Sequence, residues 1–147
     1  ETWTKQIGGT CVRLWNVYGE LENMTERSHV AGDFVAQAIL NGKIEMLTDG
    51  QEERQFIHTK DVSSGLHHVI QNNLNKQVYD LTSYEWIKVI DLAKEIAKHA
   101  NVKVIPGKKE GSRKHSELAI FMGKPPGWKH KINIKMGIKM MVEEAKK

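Results

Sequence analysis

Thr10-Cys11-Val12-Arg13-Leu14-Trp15-Asn16-Val17-Tyr18-Gly19 is a nearly unbroken apolar run closed by a tyrosine and a glycine. Cys11, Val12, Leu14, Trp15 and Val17 leave it no clearly polar face. Thr10 to Val17 therefore reads as a strand buried on both faces, as parallel sheets require. Asn16 falls at the C-terminal end of this strand, where α/β folds place ligand contacts. Its amide can donate to a diphosphate oxygen without adding charge, or it can bond nearby backbone as loop amides do. Arg13, three residues earlier, reads as a structural partner within the fold. Before the run, residues 1–7 read as the end of a helix closed by Gly8-Gly9; after it, Glu20 to Arg27 reads as a polar loop.

Helical and strand spacings then alternate along the chain. Val30, Phe34, Val35, Ala38 and Ile39 predict a helix over 29–41, stopped by Asn41-Gly42. Its free N–H groups, beginning at Val30, can meet an anion through backbone alone. Ile44 to Leu47 and Gln55 to His58 read as short strands around a turn at Asp49-Gly50. A helix over about 60–73 is expected to take Thr59 or Asp61 as its cap and to bury Val62, Leu66, Val69 and Ile70. Val78 to Leu81 reads as a strand, about 88–99 as a helix, Val102 to Ile105 as a strand, 114–121 as a short helix, and about 133–146 as a last helix whose methionines belong to the core. Strands separated by helices make the chain α/β.

Composition narrows the class. Of 147 residues 39% are hydrophobic and 27% charged, which suits a globular domain, and the longest apolar runs are too short to span a bilayer. The single cysteine, Cys11, excludes an internal disulfide and any cysteine-rich metal site, and reads as a packed thiol in a cytoplasmic setting. His58, His67 and His68 lack metal-ligand spacing, so no metal is expected. The net charge of +4 gathers in the lysines of 103–114 and 124–147. No nucleic-acid motif and no interleaved aromatics accompany it, so neither nucleic acid nor a membrane is expected as a partner.

Three segments together resemble a known family. Arg13-Leu14-Trp15-Asn16-Val17-Tyr18-Gly19 resembles R-x-x-N-x-Y-G. The segment from Asp49-Gly50 through Arg54-Gln55-Phe56 to Asp61-Val62 resembles G-x-G-x-x-x-R-x-F/Y-x-x-x-x-D-V. Val78-Tyr79-Asp80-Leu81-Thr82 resembles a strand ending Y-N-x-G. Their order and spacing resemble the C-terminal half of the extended short-chain dehydrogenase/reductase family, which includes UDP-glucose 4-epimerase-like enzymes and nucleotide-sugar 4,6-dehydratases.

The resemblance implies late strands of a Rossmann-like parallel sheet plus a small mixed α+β substrate-binding lobe. It implies a nucleotide-diphosphate-sugar ligand held by Asn16, the Val30 helix start, and Arg54, whose guanidinium can clamp a phosphate with two parallel bonds. Arg54 can equally pair with Glu52 or Glu53. Phe56 falls near the nucleotide base or else in the core. Lys109, in Lys109-Glu110-Gly111-Ser112, stands where the family has the arginine of R-x-G-D/E, and a lysine lacks that fork.

The sequence also departs from the family. No glycine-rich turn follows a strand, as a dinucleotide cradle requires. The Tyr-x-x-x-Lys acid/base pair is missing, since Tyr84 and Lys88 match the spacing far from the family's position and read as structural. No catalytic residue is therefore assigned. Residues 1–147 are expected to be the C-terminal portion of an NAD-dependent epimerase/dehydratase without its cofactor-binding portion. NAD or NADP is expected in the parent enzyme and not on this chain alone. A 4,6-dehydratase, a reductase or a non-catalytic binding module remain the other readings. An exposed sheet edge is expected to drive homodimer formation.

Overall fold

The computed structural model describes residues 1–20, 29–75, 77–111 and 122–147. A five-residue helix α1 (Thr2–Gln6) leads into β1 (Cys11–Leu14), which pairs in parallel with β6 (Val78–Leu81). The chain then shifts partners at Trp15, and β2 (Asn16–Tyr18) pairs in parallel with β5 (Phe56–His58). The expected single strand over 10–17 is thus two strands with different neighbours, and Asn16 opens the second instead of ending the first.

The run is also not buried on both faces: Leu14 is 50% exposed and Cys11, Val12 and Arg13 are half-buried. Among the described residues β1 pairs on one edge only, with β6, so its other edge has no strand partner there. Arg13 does pair within the fold: its Nε and Nη2 donate to the Glu1 carboxylate at 2.5 and 2.9 Å.

A second group of elements forms the lobe. Helix α2 (Val30–Asn41) ends on Gly42 in the left-handed region, as the Asn-Gly signal predicts. β3 (Lys43–Glu45) pairs in parallel with β8 (Lys103–Ile105). β4 (Glu53–Arg54) pairs antiparallel with β7 (Ile87–Lys88), a contact that no local pattern announced. Helices α4 (Val89–Ala100) and α5 (Ile134–Ala145) close this lobe over a core that includes Phe34, Ile44, Leu92, Ile96, Ile138 and Met141. Met141 is core as expected, whereas Met136 is 44% exposed. Gly137 lets α5 approach β2, because a Cβ there would sit 2.3 Å from the Tyr18 hydroxyl.

Helix α3 (Thr59–Gln71) joins the sheet strands and packs with a smaller cluster of Ile57, Val62, Leu81 and Trp128. Two expectations about it need correction. Its cap is His58, whose Nδ1 accepts the Lys60 N–H at 3.2 Å, not Thr59 or Asp61. Leu66 and Ile70 are 39% and 73% exposed, because the apolar stripe of α3 is wider than the surface offered to it. The helix expected over 114–121 lies outside the described residues.

Asp61 is a structural acid. It is 3% exposed, and its two oxygens accept the main-chain N–H groups of Lys131 and Ile132, each at 2.9 Å. This joins α3 to the strap that carries Trp128 towards α5.

Candidate functional site

The turn between β3 and β4 positions the central side chain of the site. Gly50 has φ +72, and a Cβ there would lie 2.8 Å from the Ile90 nitrogen, so both conformation and space demand glycine. Thr48 Oγ1 donates to Glu52 Oε1 at 2.8 Å, and the Val89 N–H donates to the Glu52 carbonyl at 3.0 Å. The chain leaves this turn as β4, whose pairing with β7 fixes the direction of Arg54. The only side-chain bond of Arg54 among the described residues is from Nη1 to the Glu53 carbonyl, at 2.8 Å. Neither Glu52 nor Glu53 pairs with its guanidinium.

Asn16, Val30, Arg54 and Phe56 line one cavity of about 230 Å³. They come from β2, the first turn of α2, β4 and β5, so only the tertiary fold brings them together. Helix α2 starts at this wall without a side-chain cap bond among the described residues, which leaves its first N–H groups facing an anion site. The Asn16 Nδ2 donates to the Gln55 carbonyl at 2.8 Å, the backbone bond that was the alternative to ligand contact; its second amide hydrogen is left for a ligand. Phe56 is 3% exposed and meets Tyr18 edge-on at 6.4 Å, so it serves the core while its surface closes the cavity. Lys109 does not line this cavity; its carbonyl accepts the Asp49 N–H at 2.8 Å.

Sequence reading missed Glu52, which lies at the wall between this cavity and an adjoining one of about 540 Å³. Its Oε2 is buried without a partner among the described residues, and a Cβ at Gly111 would sit 2.0 Å from it. Gly111 packs against this oxygen and the Thr48 hydroxyl bonds the other, so the Glu52 carboxylate shares the wall of the smaller cavity with Arg54. A larger cavity, about 720 Å³, shares Val17 and His29 with it but holds neither Asn16 nor Arg54. The converging polar groups, not the volume, single out the smaller one.

Buried His58 stands beside the 720 Å³ cavity. Its Nε2 lies 3.0 Å from Glu20 Oε2. Burial lowers the imidazole pKa below its ordinary 6.5, outweighing the opposing pull of Glu20. The folded state thus prefers neutral His58. Its contribution to stability is complete above pH 6.5 and is lost as pH falls from there through the lower folded value. His58→Asn keeps a capping acceptor but cannot titrate. Denaturant melts of this variant should lose the part of the acid-side slope that begins just below pH 6.5; an identical slope in both proteins would refute the assignment.

No dinucleotide cradle forms among the described residues. Gly8-Gly9 sit between α1 and β1, ahead of a strand, whereas a cradle needs glycines after one. The Tyr84 hydroxyl donates to the Asp80 carbonyl at 2.5 Å, and burial raises its pKa to about 12. Both features suit a structural tyrosine. No group of ligands able to hold a metal occurs among the described residues, and no helix there is long and apolar enough to cross a membrane.

The model of the NAD dependent epimerase/dehydratase family matches residues 2–82. UDP-glucuronic acid decarboxylase 2 from Arabidopsis thaliana is 26% identical over 138 residues, covering 90% of this chain and 30% of that protein. UDP-glucose 4-epimerase from Thermotoga maritima, solved with UDP-glucose, superposes with a TM-score of 0.76 at 18% identity, covering 93% of this chain and 45% of its own. UDP-N-acetylglucosamine 4-epimerase from Methanobrevibacter ruminantium M1, solved with UDP-N-acetylmuramic acid, gives 0.74 at 16% identity, covering 98% and 50%. The chain thus spans about half the length of these solved proteins, which share its α/β fold.

Proposed function

The chain belongs to the NAD dependent epimerase/dehydratase family, and from that premise we propose that it is the nucleotide-diphosphate-sugar binding portion of an NAD(P)-dependent, UDP-glucose 4-epimerase-like enzyme. The observation that carries the reading is the shared cavity: a guanidinium, an amide and an uncapped helix start face one small space. A diphosphate is the ligand chemistry that uses all three, through a forked charged contact, a neutral donor and backbone N–H groups. The adjoining cavity of about 540 Å³ offers room for the nucleoside.

Binding and hydride chemistry are separable in this reading. The chain carries no glycine-rich cradle, and its one Tyr-x-x-x-Lys spacing is tied up in structure. The 147-residue protein should therefore bind a nucleotide sugar without turning it over. Thermal melts with UDP-glucose test the first half: a ligand that binds only the folded form raises the melting temperature. The binding reading fails if UDP, UDP-glucose and related nucleotide sugars all leave the melt unchanged.

The same reading carries a homodimer. Trp3, Ile7 and Leu14 are 80%, 84% and 50% exposed on α1, its C-terminal end and β1, beside a strand edge without a partner among the described residues. Apolar surface next to an open edge favours self-association. Sedimentation at micromolar concentration should give a dimer; a monodisperse monomer argues against it.

A further inference from the structure

A separate cavity of about 330 Å³ is lined by Ser83, Tyr84, Lys124, Trp128, Lys129 and His130. It shares no lining residue with the cavity of Asn16 and Arg54. Three of its side chains are basic and none is acidic. Lys124, Lys129 and His130 have neither an ion pair nor a side-chain hydrogen bond among the described residues. Basic groups gathered around one concavity focus a positive potential and draw anions into it.

These groups sit on a strap that is held in place along its length. The Met122 N–H donates to Asp80 Oδ2 at 2.6 Å, and the Gly123 carbonyl accepts the Asp80 N–H at 2.9 Å, just before Lys124. Trp128 Nε1 donates to Ser64 Oγ at 3.1 Å, and the Lys131 N–H is held by Asp61 at 2.9 Å. Lys129 and His130 therefore lie between two fixed residues. The backbone entropy of ordering them is lost on folding, not on binding, which favours a ligand.

The inner wall is aromatic. Trp128 is 6% exposed, so its ring is fixed. Tyr84 has φ 63, a conformation costly for an aromatic residue, and its hydroxyl bond to the Asp80 carbonyl holds it there. Backbone strain of this kind is retained where the surroundings over-determine it, often beside a ligand.

We propose that this cavity binds a small organic phosphate with a single flat ring, the phosphate meeting Lys124, Lys129 and His130 and the ring lying against Tyr84 and Trp128. The volume lies at the small end of ligand sites, about 300 to 1,000 Å³, which excludes a nucleotide sugar and admits a one-ring monophosphate. The inference does not depend on the nucleotide-sugar reading, since the two cavities are lined by different residues.

NMR titration of the whole chain with phenyl phosphate, inorganic phosphate and phenol tests it. Phenyl phosphate should shift the Trp128 indole signal saturably and bind more tightly than either fragment. A Lys124→Ala/Lys129→Ala variant should bind it about tenfold or more weakly. Its melting temperature should be unchanged, because both side chains are exposed. Arg54→Ala should bind it as the parent does. Absence of a saturable shift at Trp128, equal affinity for phenyl phosphate and inorganic phosphate, or loss of binding in Arg54→Ala with none in the double variant would each overturn the proposal.

Discussion

Asp61→Ala is expected to lower stability by about 3 to 5 kcal/mol, a fall in melting temperature on the order of 10 °C or more. The carboxylate is buried, and it accepts two main-chain N–H groups from residues 131 and 132. Removing it leaves two donors with no acceptor, and each buried orphan costs about 1 to 3 kcal/mol before the cavity left behind is counted. The damage should spread along the chain. The same strap carries Trp128 into its cluster with Leu81 and leads to α5, whose cap Asn133 follows directly. Asp91→Ala is the control: its carboxylate is 58% exposed and lies 3.8 Å from Lys94, so its loss should cost no more than about 0.5 kcal/mol. Equal melting temperatures for the two variants in calorimetry would show that Asp61 does not hold the strap.

Arg54→Ala should weaken UDP-glucose binding by about 30- to 100-fold, corresponding to about 2 to 3 kcal/mol. The folded protein should scarcely notice, because the side chain gives up one bond to its neighbour's carbonyl and no ion pair. Arg54→Lys keeps the charge but not the planar fork, so it should recover only part of the affinity. This pattern separates a phosphate clamp from a general positive field, which lysine would restore in full. Unchanged affinity in Arg54→Ala, measured by calorimetric titration on a protein with the parent's melting temperature, would remove the guanidinium from the site and with it the main support for the nucleotide-sugar reading.

Much of the candidate site was legible because it is written in short segments with local causes. Gly50 before Arg54, Asn41-Gly42 after a helical stripe and Asn16 after an apolar run each follow from turn chemistry or periodicity. Four of the five ligand candidates, Asn16, Val30, Arg54 and Phe56, line the same cavity, while Lys109 does not. Lys109 matches the family by motif position alone, and its segment is anchored by backbone to Asp49, which local sequence does not reveal.

By itself the sequence determined the alternation of helices and strands, the stops between them and the residue types able to hold a phosphate. These depend on backbone conformation and side-chain spacing within a few residues. Tertiary structure alone decided that the run from Cys11 to Tyr18 divides between two partners, that Arg54 is directed by pairing with Ile87, and that His58, not Thr59, caps its helix. It also decided that Asp61 holds residues 70 positions away and that Leu66 and Ile70 stay uncovered. The physical reason is the same in each case: burial and hydrogen-bond partnership depend on what the rest of the chain places nearby, and local periodicity states only what a segment is able to bury.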